Sequence, residues 1–183
     1  MSRPTWDEYF IGLAFMISQR SLDTQTKHGA VIVDSQNHIV GTGYNSFPPG
    51  LPDETLPNTR PLKYPWMRHA EDNALINLMV VSHHIDGLRC YVTGKPCFDC
   101  IQRLGSSNIK DVYFPDAVGW QKDVEEAERW DKYVRDANLS INIIRGLDLS
   151  WMDRAYKYSL ERVKKDEKPT IDDDGIHWIG DSM

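Results

Sequence analysis

Two short motifs, each at the predicted start of a helix, restrict the folds that this chain can adopt. The first reads HAE at positions 69–71, and the second reads PCFDC at positions 96–100. The two cysteines are three residues apart, so they lie on one helix face and both sulfurs can reach one metal ion. The histidine and the glutamate are two apart, so they can serve one site only if their helix points its N-terminus at it. The fold must therefore bring two helix N-termini together.

The donor atoms of these motifs favour a zinc ion with one open coordination position. His69, Cys97 and Cys100 supply three ligands, whereas tetrahedral zinc takes four. A catalytic zinc site keeps water at the fourth position. Two thiolates neutralise the charge of Zn²⁺, so the water needs a nearby base, and Glu71 can supply it. We predict one zinc ion per chain, with Glu71 as the catalytic residue.

Two other interpretations of the motifs remain open. Two cysteines with this spacing are also typical of thioredoxin-like redox proteins, although those need no accompanying histidine and glutamate. The third cysteine, Cys90, could close a structural zinc site as its fourth ligand. It lies in the middle of a predicted strand, however, where a small buried side chain is its ordinary role.

Composition excludes several classes of protein. The chain has 183 residues, 40% of them hydrophobic and 26% charged, which is typical of a globular domain rather than a disordered chain. The net charge of −6 disfavours a polynucleotide as partner. No run approaches the roughly 18 apolar residues of a membrane span, and the N-terminus has no secretory signal pattern. Three cysteines are too few for a disulfide framework, and an odd number would leave one of them unpaired. We therefore expect a cytoplasmic protein, or one of the host cytoplasm if it is viral.

Hydrophobic periodicity and turn signals predict an α/β domain over residues 1–168, followed by a mobile tail over 169–183. A capping box of Thr5 and Glu8 opens the first helix. Six of the ten prolines lie between Asn45 and Arg68, so this stretch is predicted to be a long, ordered, functional loop. The remaining predicted elements are a hairpin of 30–33 and 38–40, helices at 69–81, 97–104, within 123–137 and at 149–165, and strands at 88–93, 110–114 and 141–144. The residues predicted to pack are Ala70, Ala74, Leu75, Leu78 and Met79 in the second helix, and Trp151, Ala155, Tyr158 and Val163 in the last.

The sequence resembles the cytidine deaminase superfamily and, within it, the deoxycytidylate (dCMP) deaminase family. The combination H-x-E followed by P-C-x-x-C is the signature of the zinc deaminases. The resemblance runs from Trp6 to Pro115. It also rests on WDEYF at 6–10, QRSLD at 19–23, GAVIV at 29–33, GYN at 43–45, KYP at 63–65 and YVT at 91–93. The resemblance implies a three-layer cytidine deaminase-like fold, with a mixed central sheet of about five strands and helices on both faces.

The resemblance also implies a reaction. In the family, zinc-bound water attacks C4 of cytosine, so His69, Cys97 and Cys100 would hold the metal. Glu71 would pass the water's proton to the ring and to the leaving ammonia. The expected reaction converts dCMP to dUMP, which supplies thymidylate synthesis.

The resemblance implies substrate contacts as well. Asn45 matches the family asparagine that holds the nucleotide near its sugar and base. The cations near Asn45 and the zinc motifs are candidate phosphate ligands, with Arg20 first and Ser21 as an added hydroxyl donor. These cations are Arg20, Lys27, Arg60, Lys63 and Arg68.

Family members are homo-oligomers, so a hexamer or a dimer is expected here. Members are also regulated by dCTP and dTTP through the loop after the GYN motif, which here contains Ser46, Phe47 and Gly50. Pro49 offers neither a side-chain donor nor an N–H, which argues against such regulation. Family members often carry a cysteine or histidine soon after this loop, in some cases as part of a second metal site. Residues 51–54 here contain neither, so a second metal is not expected.

Three alternatives to dCMP deamination remain. The substrate could be another cytosine nucleotide or nucleoside, such as a 5-substituted dCMP, because the sequence does not define the pocket wall. A tRNA adenosine is disfavoured by the acidic charge. A non-catalytic, zinc-containing nucleotide-binding module would leave Glu71 dispensable and release no ammonia.

Overall fold

A computed structural model of the chain describes residues 3–81, 86–116, 124–165, 170–172 and 175–177. The chain divides into two compact units, Met1–Leu147 and Asp148–Met183. The single domain over 1–168 with a tail over 169–183 stays a prediction. In the described part of the chain, no helix has both the length and the apolar composition needed to cross a membrane.

The first helix, α1 (Trp6–Ser18), begins at the predicted capping box. The Glu8 backbone N–H donates to the Thr5 hydroxyl at 3.2 Å, and the Thr5 backbone N–H donates to the Glu8 carboxylate at 2.8 Å. These two bonds satisfy backbone donors that a helix end otherwise leaves unpaired.

The predicted hairpin is confirmed as β1 (Gly29–Val33) paired antiparallel with β2 (Ile39–Tyr44). Its turn is organised by Asp34, whose carboxylate accepts the backbone N–H groups of Gln36 and His38, each at 2.8 Å. A short carboxylate side chain that binds its own following backbone is a common turn device.

The first unit is built on a mixed sheet of five strands, as predicted. The remaining strands are β3 (Arg89–Val92), β4 (Asp111–Pro115) and β5 (Ser140–Ile144), and the order across the sheet is β2-β1-β3-β4-β5. The β1 strand pairs antiparallel with both neighbours, whereas β3, β4 and β5 run parallel to one another. Helical crossovers between the parallel strands place helices on the sheet face.

Helices cover both faces of this sheet, so each face has its own core. On one face, α1 packs against Val31, Val33 and Tyr91. The other face carries α2 (Ala70–Val81), α3 (Phe98–Ser106) and α4 (Val124–Asp136). The core of that face includes Ala30, Ile32, Ala74, Leu78, Cys90, Val92, Ile101, Leu104, Val112 and Trp130. Burial on both faces explains why every residue of β1 is buried and why its sequence does not alternate.

Two packing predictions were wrong in detail. Met79 is 66% exposed, because its position on α2 turns away from the sheet, whereas the other four predicted residues are buried. In the second unit, α5 (Ser150–Lys165) leaves Tyr158 61% exposed and Ala155 exposed. The prediction for Val163 lies outside the side chains that the structure describes.

The second unit also contains a short antiparallel pair, β6 (Thr170–Asp172) and β7 (Gly175–His177), within the predicted tail. Of the predicted tail, the structure describes only residues 170–172 and 175–177. Its mobility stays a prediction.

The β2 strand and α2 approach each other so closely that only glycine fits between them. A Cβ atom on Gly43 would lie 2.2 Å from the Ala70 carbonyl oxygen and 2.3 Å from the Ala74 nitrogen. Both are backbone atoms of α2, so neither can move aside alone. This contact fixes the height of α2 on the sheet at the end that carries the first motif.

We predict that Gly43→Ala lowers the free energy of unfolding by about 1–3 kcal/mol, because overpacking must displace the α2 backbone. Urea unfolding measures the effect. Thr42→Ala, on the neighbouring half-buried position of the same strand, is the matched control and should cost less. An unchanged unfolding midpoint for Gly43→Ala would contradict the close contact.

Candidate functional site

The N-termini of α2 and α3 meet on the same face of the sheet, as the two motifs require. His69 immediately precedes α2, and Cys97 is the N-cap of α3. The Nδ1 atom of His69 lies 3.3 Å from the Cys100 sulfur and 3.5 Å from the Cys97 sulfur. Around tetrahedral zinc, a histidine nitrogen and a cysteine sulfur are about 3.6 Å apart, given the usual bond lengths. The three donors are therefore spaced to hold one zinc ion.

These three side chains share protons in a way that suits metal binding. The hydrogen bond with Cys97 raises the pKa of His69 to about 9. The hydrogen bond from Cys100 lowers the pKa of Cys97 to about 4, and that same bond raises the pKa of Cys100. Zinc binds thiolates and neutral imidazole, so its binding would release the protons held here. The positive end of the α3 dipole also favours the thiolate form.

Cys90 takes no part in this group. Among the described residues, the cluster of potential metal ligands consists of His69, Cys97 and Cys100, with their donor atoms within 4.8 Å of one another. Cys90 is fully buried in the sheet core, where burial raises the pKa of its thiol. The arrangement therefore leaves the fourth coordination position without a cysteine, which is the pattern of a catalytic zinc site.

Glu71 lies in the first turn of α2, next to the metal-ligand group, and is only 5% exposed. The pKa of its carboxyl is raised to about 7, chiefly by burial and in smaller part by the charges of Cys97 and Asp72, against the opposing effects of its own backbone hydrogen bond and of His69. A carboxyl group with a pKa near the working pH can both accept and return a proton. Glu71 is thus suited to act as a general acid and base.

An ion pair that the sequence analysis did not anticipate joins the two motif helices. Asp72 of α2 pairs with Arg103 of α3, and the Asp72 side chain is 14% exposed. The pair links the residue after Glu71 to the residue three beyond Cys100. It therefore helps to keep the two helix N-termini in register.

The metal-ligand group opens into a cavity with two ends of different character. Glu71, His69 and Cys97 line one end. The other end is lined by a hydrogen-bonded group of Asp23, Thr26, Arg60 and Lys63. His28, Asn45, Met67, Tyr64, Ala70, Gly94 and Lys95 complete the lining.

Asn45 lines the cavity, and its side chain also holds the surrounding backbone. It is 5% exposed, and its Oδ1 accepts the His28 backbone N–H at 2.7 Å. Its Nδ2 donates to Asp23 at 3.1 Å and to the Thr26 carbonyl at 2.9 Å. Asn45 therefore ties the end of β2 to the segment that enters β1. Its contact with substrate stays a prediction.

The charge of Lys63 is compensated inside the protein by the carboxylate of Asp23. Its Nζ donates to both Asp23 carboxylate oxygens, at 2.6 and 2.5 Å, and the two side chains are 3% and 2% exposed. Burial raises the pKa of Asp23, but the bonds from Lys63 and from the Gln25 and Thr26 backbone outweigh it and lower the pKa overall. Asp23 is therefore ionised, and the hydrogen bonds of the Lys63 side chain go to Asp23 rather than to a ligand.

Three predicted substrate contacts lie away from this cavity. Arg20 is exposed and lines a separate cleft. Lys27 is exposed and donates to the Gln19 and Ser21 carbonyls at 3.3 and 2.7 Å. The Ser21 hydroxyl is buried and donates to the Asn45 carbonyl at 2.7 Å. These residues organise the segment before β1, and the structure does not bring them to the group around Glu71.

The cations available to a ligand in the cavity are Arg60 and Lys95, since neither forms an ion pair with a carboxylate of the described residues. Arg60 donates to the Thr26 hydroxyl at 2.5 Å, and the Lys95 Nζ lies 4.1 Å from the centre of the Trp130 ring. Arg60 was among the cations named from the sequence, but Lys95 was missed. Its position directly before the P-C-x-x-C motif is the signal that could have found it. Arg68, the remaining cation, lies at a surface groove beside His69.

The predicted regulatory loop lies at the separate cleft that Arg20 lines. Ser46, Phe47 and Gly50 line it, with Asp53 as an opposing charge. Ser46 and Arg68 exchange backbone hydrogen bonds at 3.1 and 2.8 Å, which closes the base of the long loop. A regulatory role for this cleft stays a prediction.

Comparison with known proteins adds to this geometry. The sequence pattern described as "Cytidine and deoxycytidylate deaminase zinc-binding region" matches residues 4–115. This chain belongs to that family. The matched range includes both motifs and every residue of the cavity named above. Membership supports zinc as the metal of the site and identifies the fold as cytidine deaminase-like.

Individual relatives agree with the family. The human deoxycytidylate deaminase is 42% identical over 115 residues, which are 60% of this chain and 64% of that protein. The chain thus spans just under two thirds of the length of that relative. The deoxycytidylate deaminase of Mycobacterium phage D29 is 36% identical over 132 residues, which are 63% of this chain and 98% of that protein.

A solved structure shows the same fold. The crystal structure of dCMP deaminase from the cyanophage S-TIM5 in its apo form superposes with a TM-score of 0.61 at 24% sequence identity. The superposition covers 78% of this chain and 100% of the phage chain. The predicted three-layer fold with its mixed sheet is confirmed.

We predict that Cys97→Ala lowers the zinc content from about one ion per chain to near zero and lowers the thermal unfolding temperature, because metal binding and folding are coupled. Elemental analysis and calorimetry of the purified protein measure both. Cys90→Ala is the matched control, since this buried cysteine lies outside the ligand group, and it should retain zinc. Full zinc content in Cys97→Ala would refute the ligand assignment.

Proposed function

We propose that this protein catalyses the zinc-dependent hydrolytic deamination of dCMP to dUMP and ammonia. The observation that carries the proposal is the buried Glu71 beside three zinc-spaced donors, in a cavity whose lining also offers Arg60 and Lys95, two cations that form no ion pair with a carboxylate of the described residues. A nucleoside monophosphate matches this layout, with a neutral base for the metal end and a dianionic phosphate for the cations. The names of the human and mycobacteriophage relatives support the same substrate.

The residues that would hold the metal are His69, Cys97 and Cys100. When bound there, zinc supplies a Lewis acid that makes water a better nucleophile at neutral pH. The chain itself supplies the proton transfers. Glu71 accepts a proton from the attacking water and returns it to N3 of the cytosine ring. It then takes the second proton of that water from the hydroxyl group now on C4 and delivers it to the leaving amino group, so that water and dCMP become dUMP and ammonia.

The first test is ammonia release by the zinc-loaded protein with dCMP, deoxycytidine, dCTP and 5-methyl-dCMP compared side by side. We expect the highest kcat/KM with dCMP and dUMP as its chromatographic product. A preference for 5-methyl-dCMP would favour a 5-substituted substrate. No release from any of the four compounds, with zinc bound, would contradict catalysis and favour a binding module.

We predict that Glu71→Gln retains zinc but loses deamination by about 10²–10⁴-fold in kcat, which is the usual contribution of a general acid–base group. The amide preserves the size of the side chain but cannot shuttle the proton. Asp99→Asn is the matched control, because Asp99 is an exposed acid in the first turn of α3, and it should keep its activity. Substantial turnover by Glu71→Gln would remove Glu71 from the mechanism.

Arg60 and Lys95 are proposed to bind the phosphate. We predict that the double variant Arg60→Ala/Lys95→Ala raises KM for dCMP by about 100-fold, since hydrogen bonds to charged groups contribute about 1.5–3 kcal/mol each. Deoxycytidine has no phosphate, so we expect the double variant and the wild type to deaminate it with the same low kcat/KM.

Arg20→Ala is the comparison variant for this experiment, because the sequence analysis ranked Arg20 first as a phosphate ligand. Its position in the other cleft leads us to expect an unchanged KM. Equal losses on dCMP and deoxycytidine in the double variant would show that the two cations act on something other than the phosphate.

We further propose that the protein is a homo-oligomer of the cytoplasm. Large apolar side chains that the chain leaves exposed, such as Leu62 at 64% and Met79 at 66%, support an association surface. Sedimentation as a monomer at working concentration would contradict this. Regulation by dCTP or dTTP has weaker support, because the acidic Asp53 lines the same cleft as Arg20 and Pro49 offers no donor.

A further inference from the structure

His28 lines the cavity between its two ends but has no role in the reaction as proposed so far. It stands directly before β1 and contributes to the same lining as Glu71 and Asn45. The charged groups that act on its ring belong to both ends, namely His69 at the metal end and Asp23, Arg60 and Lys63 at the other. Its position is therefore where the heterocycle of a bound nucleotide would lie.

Three neighbours hold His28 in place, one at its backbone and two at its ring. The backbone N–H of His28 donates to Asn45 Oδ1 at 2.7 Å, and the ring Nδ1 lies 3.2 Å from the Thr93 hydroxyl. Gly94 leaves the space that the ring needs, because a Cβ atom there would lie 3.1 Å from His28 Cε1. A side chain with this support presents its free edge in a defined direction.

The hydrogen bonds of Thr93 favour one tautomer of the His28 ring. Its hydroxyl oxygen already accepts the Gly29 backbone N–H at 3.1 Å. Among the described residues the remaining partner of this hydroxyl is His28 Nδ1, so we assign the Thr93 O–H as the donor to Nδ1 and the ring proton to Nε2. Burial, followed by the charge of His69, lowers the pKa of His28 and so keeps the ring neutral at pH 7.

The Nε2 atom is the free edge of a ring that belongs to the cavity wall. It forms no hydrogen bond with another of the described residues. It is also not one of their polar atoms that are fully buried without a partner, so it remains accessible. A ring nitrogen that is neither bonded nor sealed from solvent, on a residue of the cavity wall, is available to a ligand. Cytosine and uracil both carry hydrogen-bond acceptors on the ring, and a neutral N–H donor suits them better than it suits a phosphate.

We infer that His28 is a specificity-determining residue whose Nε2–H donates to an acceptor on the pyrimidine ring of the bound nucleotide. The inference rests on the proposed function, because that proposal supplies the pyrimidine. It assigns to the wall of the cavity a base contact that is separate from the metal ligands, from Glu71 and from the phosphate cations.

Three substitutions separate this role from a structural one. A glutamine amide reaches the place of Nε2, an asparagine amide reaches only the place of Nδ1, and leucine offers no donor. We expect His28→Gln to keep kcat/KM for dCMP within about threefold of the wild type. His28→Asn and His28→Leu should each lose about tenfold, the loss of one hydrogen bond, and should bind dUMP about tenfold more weakly by calorimetry. Zinc content should not change in any of them.

A purely structural role gives the opposite order, because only the contact with Thr93 would then matter. Retained activity in His28→Asn with a loss in His28→Gln therefore overturns the inference, as do equal activities in all three variants. Gly94→Ala gives a second approach that leaves the histidine in place. The added methyl group would press on Cε1, so dUMP binding should weaken severalfold, and unchanged binding would count against the inference.

The outcome for the wild type separates this inference from the proposed function. A wild type that deaminates dCMP, with His28 variants equal to it, overturns the inference alone. A wild type that neither deaminates dCMP nor binds dUMP overturns the proposed function and the inference with it.

Discussion

The contact between β2 and α2 is the constraint on which the site depends. Backbone meets backbone at Gly43, so α2 can slide neither along the strand nor away from it without unpacking the sheet face. The N-terminus of α2 is thereby set at the height where α3 begins, and the ion pair between Asp72 and Arg103 keeps the two helices together. A metal-binding group assembled from residues 28 positions apart in sequence thus rests on rigid elements rather than on loops.

The opposite side of the cavity is built on different principles. Its framework is a buried salt bridge and a set of side-chain-to-backbone bonds centred on Asn45 and Asp23. A buried charge pair is costly to break from one side, because the remaining partner is left without compensation. The long loop that supplies Lys63 is therefore anchored where the ligand cavity needs a fixed wall, although much of the loop is exposed.

The parts of the structure that could be predicted are those that local pattern determines. The spacing of the two motifs was enough to anticipate that His69, Cys97 and Cys100 meet, since helix geometry and a shared metal leave few other arrangements. The hairpin, the capping box and the order of helices and strands also followed from turn residues and periodicity. The outward turn of Met79 did not, because an apolar stripe around a helix leaves its edge undefined until the sheet is in place.

The wall of the cavity could not be predicted because it depends on how the long loop folds back. Arg20 and Lys27 are close in sequence to Asn45's partners, yet their side chains point to another cleft and to backbone carbonyls. Lys63 reaches the cavity but forms an ion pair with Asp23, which is 40 residues away in the sequence, so no spacing rule reveals the pairing. Lys95 and His28 occupy ordinary positions in the sequence and gain their meaning only from what surrounds them.

The segment 94–97 has a consequence for how metal and nucleotide affect each other. Within four consecutive residues it holds the glycine that accommodates His28, the cation over Trp130, and the first cysteine of the ligand group. The main chain of this segment is further fixed by the bond from the Trp130 indole to the Pro96 carbonyl at 3.0 Å. Ordering the segment at one end orders it at the other, so the binding of zinc and of nucleotide should be thermodynamically linked. Such linkage is reciprocal: whatever factor the metal contributes to nucleotide affinity, the nucleotide returns to metal affinity.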